Sequence, residues 1–219
     1  MFQRDYILRI IDQFIRILAE LIFKRKQDAD QDVIDQVFST STDLFGLDFH
    51  MLDMIKTDAL ISFLESGNDD QFKLYAYAML FKEISYAQYL EGFKQKALVS
   101  LRKAIGLLDH FLAKKDGPDK LVLIEHVEDM ADWALLFQLQ DDYLLKLFYI
   151  CFKLKRFHKA ENLLFRLGEL SGREIEPIGL HFFETVLAQS EEYLLNCGLN
   201  RAEFEQSCQD FKQVVKRKN

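Results

Sequence analysis

The sequence predicts an all-α protein of about ten helices, arranged as stacked antiparallel helical hairpins. The chain has 219 residues with only two prolines and nine glycines, so it lacks the many tight turns of a β-sandwich or barrel. Apolar residues recur at spacings of three and four over most of its length, which is the helical period. The connections between these periodic segments are short, and short connections make successive helices antiparallel neighbours.

The first predicted helix runs from Arg4 to Lys26. Its apolar stripe is wider than packing against one neighbour requires, which indicates either central burial or a homodimer seam. If the first helix forms a homodimer interface, changing Ile11 or Phe14 to Asp is expected to break the dimer. If the helix lies in the centre of the core, the same changes are expected to unfold the chain. The stripe and the residues that widen it are Tyr6, Ile7, Ile10, Ile11, Phe14, Ile15, Ile17, Leu18, Leu21, Ile22 and Phe23.

Three short helices and a turn are predicted next. Four hydroxyl residues at 39–42 interrupt the apolar period and end the first short helix. Thr57 and Asp58 stand where they can cap the third. The polar turn at 66–69 predicts a boundary between an N-terminal helical region and a repeat region, both within one compact unit. The short helices are predicted at Val33–Phe38, Asp43–Ile55 and Thr57–Leu64, and the two regions at 1–66 and 67–219.

The repeat region begins with a predicted hairpin of two long helices. They run from Asp70 to Glu91 and from Lys94 to Lys115, with a tight turn at Gly92. Small residues stand where the two helices must approach closely. These small residues are Ser85, Ala97 and Ala104. Further helices are predicted at Lys120–Leu139, Tyr143–Lys155, Phe157–Leu170, Pro177–Ala188 and Glu191–Leu195, with a last helix capped by Asn200 and ending near Val215.

This hairpin resembles one tetratricopeptide unit. The matching positions are Phe81, Ile84, Ser85, Gly92, Ala97, Leu101 and Ala104. Two residues depart from the repeat: Gln88 replaces the usual aromatic residue, and Asp109 stands where a proline belongs. A fainter second unit, in which Lys155 replaces the turn glycine, matches at Leu144, Leu147, Phe157, Ala160 and Leu164. The resemblance implies an irregular tetratricopeptide-like right-handed superhelix.

Taken whole, the chain resembles an uncharacterised bacterial family of helical-repeat proteins. The resemblance rests on three blocks, Asp5–Phe14, Tyr149–Glu169 and Phe182–Glu205. It implies the fold and brings no activity with it.

The charge pattern excludes several classes of partner. The net charge of −7 argues against nucleic acid, whose phosphates require a basic surface. Charged residues from Arg4 to Glu20 interrupt the apolar N-terminus, so the pattern predicts neither a signal peptide nor a membrane span there.

The three cysteines are odd in number and far apart in sequence, which predicts reduced thiols in a cytoplasmic protein.

No residue pattern indicates catalysis. The sequence contains no P-loop, dinucleotide-binding or nucleophile-elbow motif, and its five histidines show no metal-ligand spacing. Cys151 is interpreted as an inert core thiol. An acidic face beside His126 is either a metal or acid–base site or a solvated helix face, and we favour the second interpretation. Its residues are Glu125, Glu128, Asp129 and Asp132. We therefore predict neither an enzyme nor a cofactor or metal.

The functional prediction is a non-catalytic protein–protein interaction adaptor or a self-associating scaffold, with a homodimer formed through the first helix. The alternatives are a small-molecule-sensing regulatory domain, with a ligand between helices lined by Phe and Tyr, and an enzyme with an unrecognised site. The candidate contact residues for a protein or peptide partner are Tyr6, Arg9, Asp12, Gln13, Arg16, Tyr86 and Tyr89. A wider tyrosine set predicted either to line a groove near Gly92 or to pack in the core is Tyr75, Tyr86, Tyr89, Tyr143 and Tyr149.

Overall fold

The protein is all-α, as the sequence predicts. A computed structural model describes residues 2–27, 29–66, 70–114, 120–139 and 142–217, with the backbone alone for 2–8, 70 and 120–122. These ranges contain no strand. The helices are α1 Phe2–Arg25, α2 Asp30–Phe45, α3 Phe49–Met54, α4 Thr57–Leu64, α5 Asp70–Leu90, α6 Lys94–Ala113, α7 Lys120–Leu136, α8 Asp142–Lys153, α9 Phe157–Ser171, a 3-10 helix Gly172–Ile175, α10 Glu176–Leu187, α11 Glu191–Asn196 and α12 Arg201–Lys216.

The chain forms two compact units, Met1–Asp119 and Lys120–Asn219. The first contains α1 to α6 and the second α7 to α12. The division lies at a different place from the boundary predicted after residue 66, which stays a prediction. The tetratricopeptide-like superhelix also stays a prediction.

Helix α5 is the centre of the first unit. It packs against α1, α2, α4 and α6, and every residue from Leu74 to Ser85 is buried. In α1, the ring of Phe14 is fully buried and meets the rings of Phe45, Phe72 and Tyr75 at centroid distances of 6.0, 5.6 and 6.2 Å. An unbroken apolar run opens this buried stretch, as expected of a helix enclosed on all sides.

The predicted end of the second helix at Phe38 is wrong, because α2 continues through the four hydroxyl residues to Phe45. Two of the hydroxyls bond to carbonyls one turn earlier in the same helix, so they do not interrupt its backbone. Ser39 Oγ donates to Gln36 O at 3.1 Å, and Thr42 Oγ1 donates to Phe38 O at 3.4 Å.

The predicted helix Asp43–Ile55 is divided in two. Gly46 adopts a left-handed φ of 66° and ends α2, and Asp48 then caps α3 by accepting a hydrogen bond from His50 N at 2.9 Å. The predicted cap at Thr57 and Asp58 is also wrong, since Lys56 occupies the cap position of α4 without a side-chain bond. These errors concern local capping, which changes helix ends without changing the fold class.

In the described ranges, four helices end with the same backbone turn. The second residue after the helix is left-handed, and the next N–H donates to the carbonyl five residues earlier, which satisfies carbonyls that the helix leaves free. For α5 that bond joins Phe93 N to Gln88 O at 2.8 Å. Lys155, which replaces the glycine of the fainter repeat unit, adopts the same turn. The left-handed residues are Gly92 (φ 85°), Gln138 (58°), Lys155 (60°) and Gly198 (73°), after α5, α7, α8 and α11 respectively.

The second unit has a core of phenylalanine rings. Phe182 lies near its centre, with ring centroids of Phe148, Phe152 and Phe204 between 5.2 and 5.7 Å away. The ring of Phe211 from α12 packs directly against the backbone of Gly179 in α10. A Cβ added to Gly179 would come within 2.1 Å of that ring. The missing side chain is therefore what lets α10 and α12 approach so closely.

Candidate functional site

An exposed apolar surface lies where α5 turns into α6. We call it the turn surface and define it as Tyr89, Leu90, Phe93, Lys94, Lys96 and Val99. Three of its apolar side chains are open to solvent: Leu90 is 44% exposed, Phe93 53% and Val99 43%. Large exposed apolar side chains so close together along one hairpin are typical of a contact surface rather than of scattered surface residues.

The hairpin beneath the turn surface is held by hydrogen bonds at its turn and between its two helices. The left-handed Gly92 lets Phe93 N donate to Gln88 O at 2.8 Å, and Ala97 N then donates to Phe93 O at 3.0 Å as α6 begins. Across the hairpin, Ser100 Oγ donates to Gln88 Oε1 at 2.8 Å in a buried bond. Gln88, the departure from the repeat pattern, therefore ties the two helices together directly below the exposed rings.

Two lysines give the turn surface a positive charge. Lys94 Nζ lies 6.0 Å from the centroid of the Tyr89 ring, and Lys96 Nζ lies 5.2 Å from that of Phe93. Cation–π attraction holds each ammonium group over an aromatic face. One carboxylate, that of the exposed Glu91, stands in the same turn. The arrangement combines apolar contact area with directed positive charge and contains no nucleophile or acid–base pair.

The predicted contact residues of α1 lie on its solvent side. Arg9, Asp12, Gln13 and Arg16 are all exposed, whereas the side chain of Tyr6 lies outside the described residues. An apolar strip runs beside them, in which Ile15 is 53% exposed and Phe23 60%. Ala19, also exposed, stands between these two at the four-residue spacing that aligns side chains along one helix face. We call Ile15, Ala19 and Phe23 the α1 strip.

Tyr86, another predicted contact residue, is half-buried and contacts a buried charge cluster. Arg25 Cζ lies 5.5 Å from the centroid of its ring. The same Arg25 forms an ion pair of 2.9 Å with Glu83, which also pairs with Lys82 at 2.7 Å. Lys82 and Glu83 have fully buried side chains, and neither burial was predicted from the sequence. The available signal was their place directly after the unbroken apolar run from Leu74 to Phe81.

A second buried lysine was also missed. Lys103 in α6 donates to the carbonyls of Leu52 and Asp53 and pairs with Asp53 Oδ1 at 3.1 Å. Its ammonium group lies 5.1 Å from the centroid of Phe81. Burial lowers the pKa of Lys103, and the Asp53 carboxylate opposes that shift. The lysine satisfies carbonyls at the end of α3, so it has a structural role.

The wider tyrosine set divides between core and surface positions. Tyr75 is a core residue that packs on Phe111 at 5.7 Å, whereas Tyr149 is 46% exposed on α8 in the second unit. Tyr143 is half-buried on the same helix. Of these five tyrosines, Tyr89 is the one that belongs to the turn surface.

The acidic face of α7 is largely neutralised by the start of α9. Arg156 Nε donates to Glu128 Oε1 at 2.5 Å, and Lys159 Nζ donates to Asp132 at 2.6 and 2.7 Å. His126 is buried. In the described ranges, no group of three or more His, Cys, Asp or Glu side chains is placed to hold a metal ion. The pairing gives these carboxylates a structural role.

A cavity of about 190 Å³ lies where the acidic face of α7 meets the start of α9. Its lining is mainly charged, in contrast to the Phe and Tyr lining predicted for a ligand site. The cavity residues are Glu128, Lys155, Arg156, Phe157, His158, Lys159 and Cys197.

The thiol of Cys151 is buried in the second unit. Burial raises its pKa to about 12, and the Glu128 charge raises it further. This agrees with the interpretation of Cys151 as inert.

Comparison with known protein families assigns nearly the whole chain to one family. Among the described residues, no helix combines the length and the apolar character needed to cross a membrane. Searches of curated proteins and of solved structures gave no match. A family model described as "Family of unknown function (DUF6483)" matches residues 1–216. The chain therefore belongs to this family of unknown function.

Proposed function

We propose that this protein is a non-catalytic protein–protein interaction adaptor whose contact site is the turn surface. The supporting observation is the group of exposed apolar side chains near Phe93 in the sequence, held on a hairpin whose helices are joined by a buried hydrogen bond between Ser100 and Gln88. A rigid aromatic side chain loses little conformational freedom when a partner covers it, so it contributes efficiently to affinity.

Changing Phe93 to Ser tests this proposal. We expect the variant to keep its helical circular dichroism, because Phe93 is 53% exposed, and to lose a partner that wild type retains after crosslinking in its native cells. Leu195→Ser is the matched control, since Leu195 is an equally open apolar residue, 62% exposed, on α11 in the second unit. A partner profile identical in all three proteins would contradict the proposal.

Self-association through α1 is the second part of the proposal, and it is favoured by the charges beside the α1 strip. In an antiparallel pair of α1 helices with the twofold axis at the level of Leu18, Arg16 lies opposite Glu20 of the other copy. Asp12 then lies opposite Lys24. Both pairs have opposite charges, as a self-complementary interface requires.

The structure changes which substitutions test the dimer. Phe14 is fully buried in an aromatic cluster, so Phe14→Asp is expected to unfold the first unit and does not report on association. We expect Ile15→Asp and Phe23→Asp to give a folded monomer by sedimentation velocity where wild type is a dimer. Met54→Asp makes the same apolar-to-acidic change at a residue of α3 that is 84% exposed and lies outside α1, and it serves as control. A wild-type monomer at high protein concentration would contradict this part.

A ligand-sensing domain is the alternative, and the charged cavity at the start of α9 is the feature that favours it. Its lysine, arginine and histidine side chains would suit a small anion. A thermal-shift screen with anionic metabolites separates the two functions: a saturable shift that Lys155→Ala abolishes favours sensing, whereas its absence together with partner loss in Phe93→Ser favours the adaptor.

A further inference from the structure

We infer that the turn surface binds an acidic amphipathic segment of a partner protein. The inference rests on the proposed adaptor function and adds the chemical class of the partner. It depends on the charge and the apolar contact area of the turn surface.

The charge of the turn surface is opposite to that of the whole chain. Lys94 and Lys96 are exposed, and Glu91 is the one acidic residue in the sequence from Tyr89 to Val99, so the local balance is positive in a protein of net charge −7. The ammonium groups are held over the rings of Tyr89 and Phe93. A carboxylate on a partner would therefore meet cations beside an apolar surface, where electrostatic complementarity gives orientation and specificity.

The apolar part of the surface requires more than charge from its partner. Leu90, Phe93 and Val99 present exposed aliphatic and aromatic area, and each lies within four residues of Lys94 or Lys96 in the sequence. An extended acidic chain without apolar side chains would leave that area in water. An amphipathic segment covers it with one face and places carboxylates at its edge, which is how helices bind in grooves and on ridges of other proteins.

A nucleic acid fits these observations less well. Nucleic-acid binding depends on neutralising several phosphates, and the affinity grows with the number of cations that do so. The turn surface offers two lysines and one carboxylate, in a chain whose acidic residues outnumber its basic ones by 35 to 28. The lysines are also placed over ring faces on which bases would have to stack.

A peptide-display selection on the immobilised full-length chain tests the inference. We expect enriched peptides to carry Asp or Glu together with Leu or aromatic residues. The double variant Lys94→Glu/Lys96→Glu should weaken their binding, measured by fluorescence anisotropy, about tenfold. Added salt should weaken it as well. The control Lys56→Glu/Lys216→Glu makes the same change in net charge at two exposed lysines elsewhere and should leave the affinity unchanged.

The outcomes separate this inference from the adaptor proposal. Neutral or basic peptides whose binding Phe93→Ser abolishes would overturn the acidic class and leave the adaptor standing. Peptides insensitive to both Phe93→Ser and the lysine variant, or no enrichment at all, would overturn both. A labelled single-stranded oligonucleotide that binds wild type and not the lysine variant would overturn the inference in favour of nucleic acid. A wild-type dimer that Phe93→Ser converts to a monomer would assign the surface to a second copy of the chain.

Discussion

At the scale of single residues, the interior of the first unit contains ionised groups that depend on one another. Glu83 lies between Arg25 at 2.9 Å and Lys82 at 2.7 Å, and the side chains of Glu83 and Lys82 are fully buried. Burying charges is costly, and mutual attraction offsets that cost only while every member is present. The cluster joins the end of α1 to α5 and lies beside Tyr86, so it fixes α1 against the central helix.

Replacing Glu83 by Gln is expected to destabilise the protein by about 3 kcal/mol, because it removes a carboxylate that pairs with the buried Lys82 and with Arg25, whose side chain is only 12% exposed. Urea unfolding followed by circular dichroism measures the change. Glu91→Gln, which removes the same charge from an exposed position in the turn after α5, is the control and should stay within about 0.5 kcal/mol of wild type. An equal, small effect of both variants would show that the cluster contributes little.

At the scale of helical elements, the left-handed turn is the recurring way of ending a helix in this chain. Glycine adopts that conformation without strain, whereas a side chain makes it unfavourable. Two of the four turns carry glycine, and two carry Gln138 and Lys155. Tertiary contacts compensate at Lys155, whose ammonium group lies 5.1 Å from the centroid of the Tyr193 ring. Gln138 is exposed.

Exchanging glycine into and out of these turns should therefore have opposite effects. Gly92→Ala is expected to lower the free energy of unfolding by about 1 kcal/mol, since an added Cβ meets nothing within 4 Å and only the backbone conformation resists it. Gln138→Gly should raise that free energy by up to about 1 kcal/mol. Thermal unfolding of both variants provides the measurement. Shifts of the same sign in both would show that the left-handed conformation does not control these helix ends.

At the scale of the whole molecule, each compact unit has a densely aromatic or apolar core with ionisable groups inside it. In the first unit, burial raises the pKa of Tyr75 from its ordinary value of 10.0 to about 12. Burial also raises the pKa of Tyr77, against a smaller opposite effect of its hydrogen bond with Ser41. In the second unit, burial raises the pKa of Cys151 from 9.0 to about 12. All three groups are held neutral by the folded chain.

These shifts predict a loss of stability in alkali. Between the ordinary and the raised pKa values, the unfolded chain has released the phenol and thiol protons while the folded chain retains them. The stabilising contribution of these groups is therefore fully present below about pH 9, and it is lost as the pH rises from about 9 to about 12. Urea midpoints between about pH 8 and about pH 11 measure this slope, and Tyr75→Phe should flatten it. A stability independent of pH over that interval would contradict the prediction.

The turn beneath the candidate site was predictable from the sequence, but most of the residues of the turn surface were not. The tight turn at Gly92 followed from the sequence, because a glycine between two apolar periodic segments is a local signal. Tyr89 beside it was predicted as a contact residue and stays a prediction. Leu90, Phe93 and Val99 were not identified, because each belongs to the same apolar class as the core residues beside it. The lysines over the rings were missed for a related reason: cation–π geometry depends on how the turn places its side chains.

By itself, the sequence determined the all-α class, the exact bounds of α4 and the cap of α12, where Asn200 accepts from the N–H groups of Ala202 and Glu203. These features depend on residues close together in the chain. Only the tertiary structure decided that α5 is the central helix, that Phe14 is buried while its neighbour Ile15 is exposed, and that Lys82 and Glu83 lie in the interior. Apolar periodicity shows which face of a helix is apolar and will be buried. It does not show which helix, distant in the sequence, packs against that face.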